Sequence, residues 1–218
     1  MTSFKELEES QAWKEYLAFE EEKRKSIKSG DDVMHLDYFS GMLTEEELSN
    51  FEEELSKIGL RLGSYDKSGQ MTASLDDLSL VTFLVLSNTT VKAIIDGTLT
   101  NLTWETIKHI TLRVYRKVRG QTITKFTTGT SEQKPATFSI NAQLDENTAY
   151  SFKLEGRDET VLKGLDKILD FLKEQKPNLH YKFPHLTNYD EKSGRWQALD
   201  MEKEIRKIAK KARKSSQK

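Results

Sequence analysis

Residues 136–155, ATFSINAQLDENTAYSFKLE, contain two runs in which apolar and polar side chains alternate on either side of a short polar turn. The apolar members are Phe138, Ile140, Ala142 and Leu144 in the first run, and Tyr150, Phe152 and Leu154 in the second. Because successive side chains of a strand point to opposite faces of a sheet, this alternation predicts a β-hairpin with one buried face.

The segment that follows, residues 158–175, predicts the helix that covers this hairpin. Gly156 and Arg157 interrupt the alternation, and Asp158 is the predicted helix cap. Six apolar residues then recur at helical spacing and would share one face: Val161, Leu162, Leu165, Ile168, Leu169 and Leu172. A strand face and a helix stripe bury each other, which predicts a two-layer sandwich.

Around this unit the sequence predicts an α+β fold, with a small, mostly antiparallel sheet and helices at both ends of the chain. The predicted strands are 60–65, 78–86, 122–127, 136–144 and 148–155. The predicted helices, besides 158–175, are 3–28, 44–58, 89–96, 103–118 and 198–213. We interpret 33–43 as a connector and 129–135 as a loop.

These elements divide the chain into three regions. Residues 1–58 form a predicted N-terminal helical region, and residues 59–177 form the α+β core. Residues 178–218 combine an aromatic-rich irregular segment, in which short strands are an alternative, with a basic C-terminal helix.

Composition limits the class of protein. The chain has no cysteine, so a disulfide scaffold, a thiolate metal site and a cysteine nucleophile are excluded. The first residues are charged from Lys5 onward and do not resemble a secretory signal, which makes the cytoplasm the expected location. The apolar run 78–87 is shorter than the roughly 20 residues that span a bilayer, so we expect no membrane partner.

No contiguous catalytic or cofactor motif occurs. The sequence lacks a G-x-S-x-G elbow, a phosphate-binding loop and a dinucleotide fingerprint, so we expect no cofactor. The four histidines show no metal-ligand spacing, so we expect no metal site. An enzyme whose site is assembled from distant residues is one alternative, centred on His180, Tyr181, His185 and Asp190.

Charge is segregated along a chain whose net charge is only −1. Glutamates crowd residues 45–54, whereas two basic clusters are candidates for binding nucleic acid or another anion. The first cluster is Arg113, Arg116, Lys117 and Arg119, and the second is Arg206, Lys207, Lys210 and Lys211. Solvated helix surfaces and dipole compensation are the simpler interpretation of both clusters.

The absence of a catalytic motif together with this charge segregation favours a non-enzymatic interaction protein. It would act through charged helical surfaces as a regulator, an adaptor, or an immunity or host–phage conflict component. Trp13, Tyr16 and Trp196 are the predicted partner contacts, because they lie outside the regular apolar stripes. Self-association through helix 3–28 is a further expectation, and nucleic-acid binding through the basic C-terminal helix is the alternative function.

Overall fold

The structure, a computed structural model, describes residues 11–25, 27–67, 81–99, 101–127, 130–175 and 185–199. Its helices are α1 (Gln11–Lys25), α2 (Glu45–Ser56), α3 (Asn88–Ile95), α4 (Asn101–Val118) and α5 (Asp158–Glu174). Its strands are β1 (Val33–Tyr38), β2 (Arg61–Asp66), β3 (Val81–Leu86), β4 (Thr122–Thr127), β5 (Thr130–Pro135), β6 (Thr137–Gln143), β7 (Ala149–Leu154), β8 (His185–Asp190) and β9 (Arg195–Ala198).

The predicted fold class is wrong. Seven strands form one mixed sheet in the order β2-β1-β3-β6-β7-β8-β9, and β4 pairs with β5 in a separate two-stranded sheet. Three of the pairings in the large sheet are parallel, namely β1–β2, β3–β6 and β7–β8, and each is connected through at least one helix. The fold is therefore α/β, built from helical crossovers, and not a small antiparallel sheet sandwich.

The hairpin itself is present as β6 and β7, which pair antiparallel with Ile140 opposite Phe152. It lies inside the large sheet, which continues on both sides. Leu36, Leu84, Ile140 and Phe152 are registered partners in successive strands, so they share one face, and all four are fully buried. Helices α2 to α5 contribute their apolar stripes to the same core cluster, so they cover this face.

β1 and β5 were not predicted as strands, because β1 lies in the predicted connector and β5 in the predicted loop. β8 lies in the aromatic-rich segment and β9 begins in it, and short strands were the alternative interpretation there. β1 separates β2 from β3, so residues 33–38 of the predicted N-terminal helical region belong to the same sheet as residues 61–66 and 81–86. β5 has no apolar stripe and β9 has only four residues, so neither has a clear strand period.

The best-defined helix start is that of α2. Thr44 accepts a hydrogen bond from the amide of Glu47, and the Glu47 carboxylate accepts one from the amide of Thr44, so the two residues form a capping box. α5 differs from the prediction, because Arg157 occupies the cap position without a side-chain bond and Asp158 is the first helical residue. No helix in the described ranges is long and apolar enough to cross a membrane.

Candidate interaction surface

The predicted basic cluster of α4 is assembled by the structure, but together with acidic residues of the neighbouring helices. On the side of α2, Arg113 Nη1 lies 2.6 Å from Glu54 Oε1, and Lys117 Nζ lies 2.6 Å from Glu47 Oε1. The guanidinium of Arg113 also stacks 4.7 Å from the ring centre of Phe51. The hydrogen bond from Lys117 is the largest cause of the lowered pKa of Glu47.

On the side of α5, one carboxylate binds the other two basic residues. Asp158 accepts hydrogen bonds from Arg116 Nε at 2.7 Å and from Arg119 Nη1 at 2.9 Å. The bond from Arg116 is the largest cause of the lowered pKa of Asp158. These contacts give the predicted anion-binding cluster a structural role, because they join α4 to the helix on either side.

A groove lies next to this ion-paired layer, between the end of α2 and the start of α4. Its cavity of about 370 Å³ is lined by Glu54, Lys57, Ile58, Leu102, Glu105, Thr106 and His109. Trp104, Ile107 and Val114 face the sheet and are buried, whereas Leu102 lies off that stripe and is 65% exposed. Leu102 and the half-buried Ile58 together form the apolar part of the lining.

The rim of this groove is charged. Glu54 contacts His109 Nδ1 at 3.3 Å in addition to Arg113, and Glu105 contacts Lys108. Lys57 pairs with Glu53 one turn earlier on α2. The groove therefore has an apolar floor of Ile58 and Leu102 and a rim in which carboxylates alternate with cations.

Trp196, a predicted partner contact, lies in the core. It is 5% exposed, and its indole N–H donates a 2.7 Å hydrogen bond to the carbonyl of Gly164 on α5. Its ring packs edge-on against Phe152 at 5.0 Å and beside Tyr189 at 5.4 Å. Trp196 therefore connects α5 to the sheet, by its hydrogen bond on one side and its ring contacts on the other. The sequence showed no regular stripe here because β9 has only four residues.

Trp13 and Tyr16, the other predicted partner contacts, belong to α1, but their side chains lie outside the described part of the structure. The described contacts of α1 reach β2. Tyr65 donates a buried 2.6 Å hydrogen bond to Glu20, and Lys23 lies 5.1 Å from the centre of the Tyr65 ring. α1 exposes Leu17 and Phe19, so it presents apolar surface on its outer side.

A cluster that the sequence analysis missed lies on the sheet face opposite to helices α2 to α5. Asp37 of β1 is registered with Tyr65 of β2, and His35 with Gly63, so these positions share that face. Burial raises the pKa of Asp37 to about 6, although the nearby Lys67 cation opposes the rise. Burial also lowers the pKa values of Lys67 and His35. The cluster was missed because residues 33–43 were interpreted as a connector, although Met34, Leu36 and Tyr38 alternate there with His35 and Asp37.

In the cluster around Asp37, burial shifts the pKa values of a carboxyl group and an amine in opposite directions. A carboxyl group that titrates near neutral pH and an amine shifted in the opposite direction are typical of functional sites, and also of structural ion pairs. The two residues stand at the carboxyl ends of the parallel strands β1 and β2, the edge where ligands bind in many α/β sheets.

The residues predicted for a scattered enzyme site are only partly described. His180 and Tyr181 lie outside the described ranges, and so do Arg206, Lys207, Lys210 and Lys211. His185 stacks on Tyr150, with ring centres 5.1 Å apart. Asp190 closes the β8–β9 turn by accepting bonds from the Ser193 hydroxyl and the Lys192 amide, and the Ser193 bond is the largest cause of its lowered pKa.

Within the described ranges, histidine, aspartate and glutamate side chains form no group of three that could hold a metal ion. Comparison of the chain with known family models, with characterised proteins and with solved structures finds no match.

Proposed function

We propose that this protein is a binding protein whose docking site is the groove between α2 and α4. The observation that carries the proposal is the exposure of Leu102 beside Ile58 in a concave site on two helices. The ion pairs of Arg113 and Lys117 hold α2 and α4 together, so the groove is preorganised for a partner. A protein acting as a regulator or adaptor would use such a site.

The proposal is tested by placing a photo-crosslinking amino acid at position 102 and, as a matched control, at position 162. Leu162 is 39% exposed on α5 and does not line the groove. Crosslinking in cells of the natural source should give a discrete adduct from position 102 that position 162 does not give. Identical adducts from both positions, or none from position 102, would refute the proposal.

A substitution adds an independent readout. Leu102→Asp removes the apolar floor but places a carboxylate in the first turn of α4, where the helix dipole favours negative charge. We therefore expect the variant to fold and to lose the captured partner, whereas Leu162→Asp should keep it. Circular dichroism checks that both variants have the wild-type helix content.

The alternative function is nucleic-acid binding through the basic clusters. Phosphates would have to compete with Glu47, Glu54 and Asp158 for the cations of α4, which makes this cluster the weaker candidate. The second cluster lies outside the described ranges, so its part in the hypothesis stays a prediction. A mobility shift at low salt that weakens steeply as salt rises would favour this alternative.

A further inference from the structure

The hairpin of β4 and β5 stands apart from the rest of the fold. It forms a two-stranded sheet of its own, and its strands pack along no other described element. It is attached at its base, where Ile123 packs against the core and the amide of Ala136 donates a hydrogen bond to the carbonyl of Gln121. Thr122 and Thr124 of β4 are exposed. An isolated two-stranded hairpin is marginally stable in water, so an additional strand would stabilise this one.

The outer side of β4 pairs with no strand in the described ranges. In an antiparallel pair, residues that exchange backbone hydrogen bonds alternate with residues whose N–H and C=O groups point away from the partner strand. Ala136 is bonded to Gln121, the residue directly opposite, so the backbone groups of Thr122, Thr124 and Phe126 point away from β5. We call these groups the β4 edge. Such a row of donors and acceptors is a template for a further strand.

The other strand edges in the described sheets are protected against such pairing. On the outer edge of β2, the amide of Leu62 already donates a 2.7 Å hydrogen bond to the carboxylate of Glu52. The outer edge of β5 includes Pro135, which has no N–H to donate, and β9 has only four residues. β4 has six residues without a proline, and four of them are β-branched, which favours strand pairing. Among the described strands, β4 therefore has the edge best suited to a further strand.

A second copy of β4 fits this edge in one antiparallel register. A two-fold axis at Thr124 places Thr124 opposite its copy and pairs residues 122–126 of both chains, with outward-pointing groups facing each other. Lys125 then lies opposite Ile123 of the second copy, so no like charges are opposed. An axis at residue 125 would place two lysines opposite each other, which is destabilising, and an axis at residue 123 would pair only residues 122–124. Charge and overlap therefore select the register centred on Thr124.

We propose that β4 pairs with β4 of a second copy of this chain around Thr124, which joins the two hairpins into one four-stranded sheet and makes the protein a two-fold symmetric dimer. The strand order is β5-β4-β4-β5, so the outermost strands are those that contain Pro135. Because the β4 edge binds its own copy, the association closes at two chains. The dimer leaves the α2–α4 groove available, so this inference is independent of the proposed docking function.

Sedimentation equilibrium of the full chain tests the proposal with two matched proline variants. We expect the wild type to approach twice the 25.2 kDa chain mass as its concentration rises. Thr124→Pro removes an N–H of the β4 edge, whereas Gln133→Pro removes the outward N–H of the directly opposite residue on β5. Neither N–H is bonded within the hairpin. Thr124→Pro should raise the Kd of the dimer by at least about tenfold, because symmetry removes two hydrogen bonds, and Gln133→Pro should leave the Kd unchanged.

A second set of variants keeps the backbone donors and remains decisive if a proline unfolds the hairpin. Thr124→Lys and Thr124→Glu each place two like charges opposite each other on the two-fold axis, so each variant alone should form less dimer than the wild type. An equimolar mixture of the two should form heterodimers in excess, which native mass spectrometry distinguishes by mass. Gln133→Lys is the control, and it should form as much dimer as the wild type.

Three results overturn the inference. The first is a wild-type chain that stays monomeric as its concentration rises. The second is a dimer that Thr124→Pro does not weaken, because its interface would then lie elsewhere on the chain. The third is a mixture of the lysine and glutamate variants in which heterodimers are not in excess.

Discussion

Asp37 permits a quantitative test of how the sheet tolerates a charge. Its carboxyl group lies on β1, the second strand from the edge of the seven-stranded sheet, between β2 and β3. Burial raises its pKa from 3.8 to about 6, and Lys67 stabilises the carboxylate without offsetting the cost of burial. The perturbation is Asp37→Asn, which keeps the shape of the side chain and removes its charge.

The direction in which the free energy of unfolding changes with pH follows from the linkage between protonation and folding. Below the unfolded-state pKa of 3.8 the carboxyl is protonated in both states, so it contributes its full stability there. As the pH rises towards the folded-state pKa of about 6, the unfolded chain loses its proton first, and the free energy of unfolding falls. Above that pH the loss in free energy of unfolding levels off at about 3 kcal/mol, because each pKa unit corresponds to about 1.4 kcal/mol. This value is an upper bound, because solvent screens the charge of the half-buried carboxyl group.

The asparagine variant lacks this loss. We expect Asp37→Asn to be more stable than the wild type by about 1 kcal/mol at pH 4.5 and by about 2–3 kcal/mol at pH 7.5. Urea unfolding at the two pH values, followed by circular dichroism, measures the difference. Glu146→Gln is the control, because Glu146 is exposed in the hairpin turn and its substitution should change stability by less than about 0.5 kcal/mol.

A stability difference that does not depend on pH would refute the reasoning. So would destabilisation of Asp37→Asn at pH 7.5, because it would mean that Asp37 and Lys67 form an ion pair whose attraction exceeds the cost of burying both charges.

Three further substitutions test the packing, each by urea unfolding at neutral pH. Thr44→Ala removes the hydroxyl that caps α2 and should cost about 1 kcal/mol; no loss would mean that the cap is not formed in solution. Gly63→Ala would place a Cβ 2.7 Å from Nδ1 of His35 and should cost about 1–3 kcal/mol, and a neutral result would contradict the β1–β2 register. Trp196→Phe removes the hydrogen bond to Gly164 and part of a buried ring and should cost about 2 kcal/mol, whereas a surface tryptophan would tolerate the change.

Elements whose signals lie in adjacent residues were predictable from the sequence. The hairpin β6–β7, the capping box of α2 and the apolar stripes of α4 and α5 all depend on periods or pairs within a few positions. The physical reason is that the period of buried side chains is set by the geometry of the element itself, about 3.6 residues in a helix and about two in a strand.

Features that depend on contacts between distant segments of the chain became visible only in the structure. β1 was interpreted as a connector, and its burial comes from lying between β2 and β3. Arg113 was interpreted as part of an anion site, and its partner Glu54 is 59 residues away in the chain.

Trp196 shows the same dependence on distant contacts. It was interpreted as a surface contact, whereas α5 lies over it and supplies its hydrogen-bond acceptor, 32 residues earlier in the chain. Local patterns contain no information on which strand pairs with which, or on which charge meets which, because those energies arise only when the chain has closed the loops between them. The sequence therefore determined the covering of the hairpin by α5, and tertiary packing alone determined the mixed sheet, the pairing of the basic cluster and the groove at Leu102.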